Sequence, residues 1–551
     1  MKRIRTMKKV ATIATAALMT ACLAVPAALY VPNFADQAIS VSAAETTYTL
    51  TIKSNVAGHT YEAYQIFAGD LSSDGKLSNI TWGSGVSEAG KTALGDASAK
   101  SETLTEANAP AFAKEVSDYL ATVAGTADAV SENVYSITGL KAGYYLIKDQ
   151  NDTQDKENGA YTSYILKVVG NTGADLKTGI PTLVKKVQEN TNISTSYTHP
   201  GLSTADTNYN DIADYNIGDM VPFKLYGTMP ANIGDYTSYY YEFSDQLDSQ
   251  FTITSSTAVT VKVDGVAVEA DKNMRIVIDP AANTIKVSFE DIKAKVPTIT
   301  KNSVVTVEYS ALLNETAEIG RPGQLNAAQL IYSNNPNEDY APNTGNETTD
   351  TPGDSGTTPW DKVIVFTYEM DVTKVDALNT NTKLKDAEFK LSNASGKFVI
   401  VDEDGIVTGW ADSIEGGSVL KSGEDGLFVV IGLDDGEYSL QETKAPEGYN
   451  LLANALTVTV DATTPNTQEW NDFDDEKALT ALTVKVDEGE AVDGNLDTGA
   501  VALEVQNKSG QTLPGTGGIG TTLFYLIGGI MVAGSGVYLI SKKRMSNKEE
   551  K

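Results

Sequence analysis

The chain has 551 residues, a formal net charge of −31 at neutral pH, one cysteine and two histidines. So acidic a balance argues against nucleic acid and anionic membrane surfaces as partners. The lone Cys22 and the distant His59 and His199 leave no disulfide framework, no cysteine-based metal site and no imidazole dyad.

Residues 1–44 read as a signal peptide. Met1 to Lys9 carries five basic residues, Val10 to Leu29 is mostly apolar, and Ser42-Ala43-Ala44 supplies small residues for cleavage after Ala44. Cys22 falls inside this segment, where Met19-Thr20-Ala21-Cys22 matches a lipoprotein box poorly. A mature exported chain therefore lacks cysteine, and its stability must come from something other than disulfides. Tyrosine outnumbers phenylalanine by 26 to 13, and glycine is abundant at 46, as expected of sheets with many turns. The length suits about three domains, and the predicted fold class is all-β, as tandem β-sandwiches.

The first unit spans 45–176. Thr47–Ile52 alternates as a half-buried strand, and a helix is predicted near Pro110 with Phe112, Val116, Tyr119, Leu120 and Val123 on one face. Strands follow near Tyr144–Ile147 and Tyr164–Val169, and Lys177-Thr178-Gly179-Ile180-Pro181 reads as an exposed connector. The second unit, 177–359 with its linker, contains short strands separated by turn signals, which indicates a sandwich. Residues 334–359 are rich in Asn, Pro, Thr, Gly and Asp and form the linker. The third unit, 360–512, opens with Ile364, Phe366, Tyr368, Met370 and Val372 on one alternating face.

Extending that alternation lands on Lys374. Glu442 shares a face with Tyr438 and Leu440, and Asn507 shares one with Val501, Leu503 and Val505. Three strands thus each point a polar group at the core, at a cost of several kcal/mol if isolated. A buried salt bridge is one account. The other is chemical: burial favours a neutral lysine, which is a nucleophile, and a protonated carboxyl that can polarise an amide and shuttle protons. The product would be a Lys–Asn isopeptide. A weaker version recurs in the second unit. Lys185 has the parity of Leu183 and Val187, Asp245 that of Phe243 and Leu247, and Asn326 that of Leu330 and Tyr332. Lys186 lies adjacent, and Glu242 replaces Asp245 as catalyst if the strand slips. In the first unit Lys53 falls on the polar face and Lys148 stands where the third unit has Glu442, so no crosslink is expected there.

At the C-terminus Leu513-Pro514-Gly515-Thr516-Gly517 precedes an uncharged apolar run from Ile519 to Ile540 and the basic cluster Lys542-Lys543-Arg544. The run is long enough to cross a bilayer, with the tail left on the cytoplasmic side. The three parts in this order resemble the cell-wall sorting signal of Gram-positive surface proteins. That resemblance implies sortase cleavage between Thr516 and Gly517, with transfer of the Thr516 carbonyl to an amine.

Val372-Thr373-Lys374-Val375-Asp376, Leu440-Gln441-Glu442-Thr443 and Val505-Gln506-Asn507 resemble a collagen-adhesin B-type, Ig-like domain. Pro181–Val187 with Tyr332-Ser333-Asn334-Asn335-Pro336 resembles the A-type middle domain. The mature chain as a whole resembles a major backbone pilin of sortase-assembled fimbriae. The resemblance implies isopeptides Lys374–Asn507 and Lys185–Asn326, catalysed by Glu442 and Asp245. It also implies an acceptor lysine ahead of Lys185, and Lys177 fits, with Lys186 and Lys167 as rivals. Implied partners are pilus-specific and housekeeping sortases, copies of itself, tip or minor pilins, peptidoglycan and a host surface ligand. No metal or cofactor is expected, and the chain is not expected to be an enzyme beyond its own crosslinking. The expected location is the cell wall and fimbrium of a Gram-positive bacterium. A single-copy wall-anchored adhesin is the alternative. A wall-anchored hydrolase is disfavoured, because Asp402-Glu403-Asp404-Gly405 looks like a hairpin turn rather than paired catalytic carboxylates.

Overall fold

The computed structural model describes residues 46–546, apart from 55–56, 75, 132, 169–171, 176–178, 192–195, 339–354, 466–467, 469, 471–473 and 511–518. The signal segment, Lys177 and Leu513–Gly517 therefore lie outside the described residues, as does most of the linker.

Alternating apolar residues build sheets throughout. In the first domain Tyr48–Lys53 pairs antiparallel with Val134–Leu140 and parallel with Thr172–Asp175. Leu50, Ile52, Tyr135 and Ile137 lie buried beneath this sheet. A second sheet runs Leu77–Trp82, Tyr61–Leu71, Gly143–Asp149, Ile165–Val168. The helix expected near Pro110 is Ala109–Ser117, with the proline in its first turn and Phe112, Ala113 and Val116 buried. It ends at Ser117, so Tyr119, Leu120 and Val123 of the predicted stripe lie beyond it, with Val123 37% exposed.

The middle domain is a two-sheet sandwich. One sheet joins Leu183–Gln188, Met220–Thr228, Val304–Leu313 and Thr260–Val263. The other runs Ile212–Asp214, Asp361–Phe366, Gln324–Ser333, Tyr241–Leu247, Thr284–Phe289, Met274–Asp279. The boundary expected at 359/360 therefore moves. Asp361–Phe366 pairs antiparallel with Gln324–Ser333, so it closes the middle domain, and the third begins at Tyr368. The period-two reading ran through this crossing because the strand is apolar on both faces. Val363 and Val365 enter the middle core, whereas Ile364 and Phe366 enter the C-terminal core.

In the third domain Tyr368–Asp376 lies between Leu427–Leu433, antiparallel, and Ala500–Asn507, parallel. The facing sheet includes Glu388–Asn393, Gly436–Lys444, Leu456–Thr463 and Ala481–Val486. The first and last strands of the domain are thus neighbours, which brings Lys374 beside the end of the chain's last strand. Beyond it, Ile519–Ser546 is one helix, and Leu523–Lys543 is long and apolar enough to cross a membrane, with mean hydropathy 1.9 and no residue buried.

Candidate functional site

Lys374, Glu442 and Asn507 come together as their strand parities predict. All three are at most 4% exposed. The Lys374 Nζ donates to Asn507 Oδ1 at 2.5 Å and to the Val505 carbonyl at 3.1 Å. The Asn507 Nδ2 donates to both Glu442 oxygens, at 2.8 and 3.1 Å. The ammonium and the carboxylate stand 3.6 Å apart. Leu452 N–H holds the Glu442 carboxyl in place at 2.8 Å, and the Phe389 ring lies 5.8 Å from Nζ. Burial pulls the Lys374 amine down to about 8, with the Glu442 charge opposing the shift. A substantial neutral fraction near physiological pH follows, and a neutral amine is nucleophilic. The nitrogen beside Glu442 is the one that would leave as ammonia, so a carboxyl lies next to the leaving group.

The family models match at this point in the chain. A SpaA prealbumin-like fold domain covers residues 368–474, and an LPXTG cell wall anchor motif covers 505–547. The trypsin-resistant surface T6 protein of Streptococcus pyogenes serotype M6 is 27% identical over 287 residues, 43% of this chain and 48% of that protein. The chain is similar to fimbrial and surface pilin proteins and carries a cell wall anchor motif. Fimbrial subunit type 1 of Actinomyces viscosus is 28% identical over 252 residues, 41% of each chain. The chain thus spans about half the length of the curated relatives it matches. The solved T6 backbone pilin of Streptococcus pyogenes serotype M6, described as a modular three-domain structure, shares the fold. It has a TM-score of 0.52 at 17% identity, over 85% of this chain and 100% of that one.

The middle domain assembles a second buried constellation. Lys185, Asp245 and Asn326 are at most 2% exposed. Lys185 Nζ donates to Asp245 Oδ2 at 2.6 Å. Asn326 does not touch the lysine directly. Its Nδ2 donates at 2.8 Å to the Tyr309 hydroxyl, which donates at 2.8 Å to Asp245 Oδ2 and accepts from Lys185 Nζ at 3.3 Å. Tyr309 is the member that sequence reasoning missed. Its signal was present: on Val304–Leu313, Val305, Val307, Tyr309 and Ala311 share the buried parity, and a buried hydroxyl requires a partner. Burial lowers the Lys185 amine and raises the Asp245 carboxyl, the direction that favours a neutral pair.

Two alternatives separate cleanly. Glu242 lies on the other face of its strand, accepting from Tyr240 Oη at 2.6 Å and Ser288 Oγ at 2.8 Å, so no strand slip brings it to Lys185. Lys186 is 1% exposed and bonded to Asp211 Oδ1 at 2.5 Å and to the Gln468 carbonyl, which withdraws it from any external acyl donor. In the first domain Lys53 is exposed, and Lys148 donates to Asn151 Oδ1 at 3.3 Å. The Asp402–Gly405 segment is a turn, with Asp402 Oδ1 accepting from Asp404 and Ile406 N–H.

Proposed function

We propose that the chain is the shaft subunit of a covalent pilus, a structural protein whose only chemistry of its own is internal crosslinking. A sortase cuts between Thr516 and Gly517, and the Thr516 carbonyl passes to Lys177 of the next copy. The last subunit is joined to peptidoglycan. The observation that carries this reading is the buried Lys374–Glu442–Asn507 constellation on the strand that leads into the sorting motif. A chain loaded end to end needs its terminal strand tied covalently to the body, and this is where the tie falls.

The crosslinking step balances without a cofactor. Neutral Lys374 Nζ attacks Asn507 Cγ, the tetrahedral carbon collapses with loss of Nδ2, and Glu442 moves the proton that lets ammonia leave. Lys185, Asn326 and Asp245 perform the same exchange in the middle domain, with Tyr309 as relay. Tip or minor pilins and a host surface ligand complete the expected set of partners. The test is gel electrophoresis of wall extracts in sodium dodecyl sulfate. A ladder of resistant high-mass bands is expected, and a single anchored band would instead make the chain a solitary adhesin.

A further inference from the structure

We propose that the groove beside the Leu183–Gln188 strand receives residues 511–516 of a second copy as an added antiparallel strand. This deepens the shaft-subunit reading and rests on it. The groove holds about 490 Å³ and is lined by residues 181–184 and the paired Lys186 of this strand, by residues 358–361, and by Asn158 and Gln468. Trp360 is 39% exposed, a large apolar side chain open to solvent at its rim.

The strand itself has an open edge here. Leu183–Val187 pairs on one side with Phe223–Gly227, but on the other side only Val187 and Gln188 pair, with Asn210 and Tyr209. Thr182 carbonyl accepts from Thr228 N–H, so even-numbered residues turn their backbone toward that paired neighbour. Lys185 N–H points the opposite way, to Asp361 Oδ2 at 2.7 Å. By alternation the Leu183 N–H and C=O face the groove. Among the described residues no strand pairs with them. A slot of mixed polar and apolar lining along an unpaired sheet edge suits an extended peptide, which adds main-chain bonds and places alternate side chains in the slot.

Residues Gln511-Thr512-Leu513-Pro514-Gly515-Thr516 meet that description, being uncharged with Leu-Pro at the centre, and they begin four residues after Asn507, the end of the Ala500–Asn507 strand. An antiparallel register with Leu513 opposite Leu183 satisfies both Leu183 groups. It sets Pro514, which has no N–H, opposite Thr182, whose backbone is turned away. The same register puts Thr516 opposite Ile180, three residues from Lys177, within about 11 Å of extended chain. The parallel direction would carry Thr516 toward Lys186, which is buried and paired. The groove therefore aims the acyl carbonyl at the connector that holds the acceptor.

The test titrates full-length chain in detergent micelles with the capped peptide Gln511–Thr516, read by hydrogen–deuterium exchange. Saturable slowing of exchange at Leu183 is expected, and a scrambled peptide should give none. Trp360→Ala in the chain, or Leu513→Asn in the peptide, should weaken binding at least about fivefold, and the peptide change cannot affect folding. Absence of saturable protection, protection elsewhere, or indifference to both changes would overturn the proposal. Protection of Leu183 by a second full chain but not by the peptide would also overturn it, and would give the groove to another segment. Lys177→Arg should leave peptide binding intact. If it binds peptide and still polymerises, the acceptor assignment falls and the groove stands. If it stops polymerising but the wild type never binds peptide, the groove falls and the acceptor stands.

Discussion

Lys374 is held where its charge is a liability, and that fact sets its chemistry. Glu442→Ala should leave the third domain folded, because the carboxyl packs against a lysine and an amide rather than filling the apolar core. The chain should then keep the mass of the ammonia that the proposed Lys374–Asn507 bond would release. Intact mass reads this directly, and a lower melting temperature should accompany it. A loop closed by a bond of this kind is worth roughly 5 kcal/mol by chain entropy. The pH dependence has a definite sign. In Asn507→Ala, Lys374 stays titratable with a folded value near 8, below the ordinary lysine value of 10.5. The unfolded chain therefore binds more protons between those values, and stability should rise with pH across that window relative to a crosslinked wild type, whose Lys374 nitrogen would no longer titrate. Chemical denaturation of both chains at several pH values checks the difference. Tyr309→Phe tests the middle domain. The ring still packs against Phe223, 5.5 Å between centroids, but the bridge to Asn326 is lost. Mass analysis should find the Lys185–Asn326 bond incomplete while Lys374–Asn507 is intact.

At the level of elements, much of the structure was legible in the sequence and one part was not. Parity along single strands placed six polar partners inward, because a side-chain period of two leaves a strand little choice once its apolar face is known. It could not show which sheet a strand joins. Asp361–Phe366 reads like the opening of the third domain, yet its partners are Gln324–Ala328 of the middle one. Pairing is decided by residues far away in the chain, and a strand apolar on both faces carries no mark of its side. Nor could composition show how tightly these two domains meet. Gly320 donates to the Thr367 carbonyl at 2.9 Å, Arg321 N–H to the Leu496 carbonyl at 3.0 Å, and Trp470 N–H to Asp211 Oδ2 at 2.6 Å. The Gly320 and Gly499 backbones are in contact. A Cβ on Gly320 would fall 2.2 Å from Gly499 N, and Gly320 has a φ of +69°. Gly320→Ala should therefore loosen this joint, costing about 1–3 kcal/mol. Differential scanning calorimetry and limited proteolysis between the domains would register it, with both crosslinks still present by mass.

For the whole molecule, the two proposed crosslinks and the sorting motif would define a covalent route through each subunit. On that reading load would enter at the acceptor, cross from Lys185 to Asn326, follow the chain to Lys374, cross to Asn507 and leave at Thr516. Each tie replaces a separable pair of strands by a bond that reductants do not cut. The acceptor must lie upstream of Lys185 for the first tie to be in series with the load. Lys53, Lys148 and Lys167 are upstream too, but they belong to strands of the first domain and would send the load through sheets without an expected crosslink. Lys186 is downstream of Lys185 and buried against Asp211. Of the lysines upstream of Lys185, Lys177 is the nearest to it, in the connector just before Pro181. Tandem mass spectrometry of digested polymer should find a branched peptide joining Leu513–Thr516 to Lys177. Lys177→Arg keeps the positive charge but removes the primary amine, so it should collapse the ladder to monomer while each monomer keeps both ammonia losses. A ladder that persists in Lys177→Arg would move the acceptor to another lysine, with Lys167 the next to test.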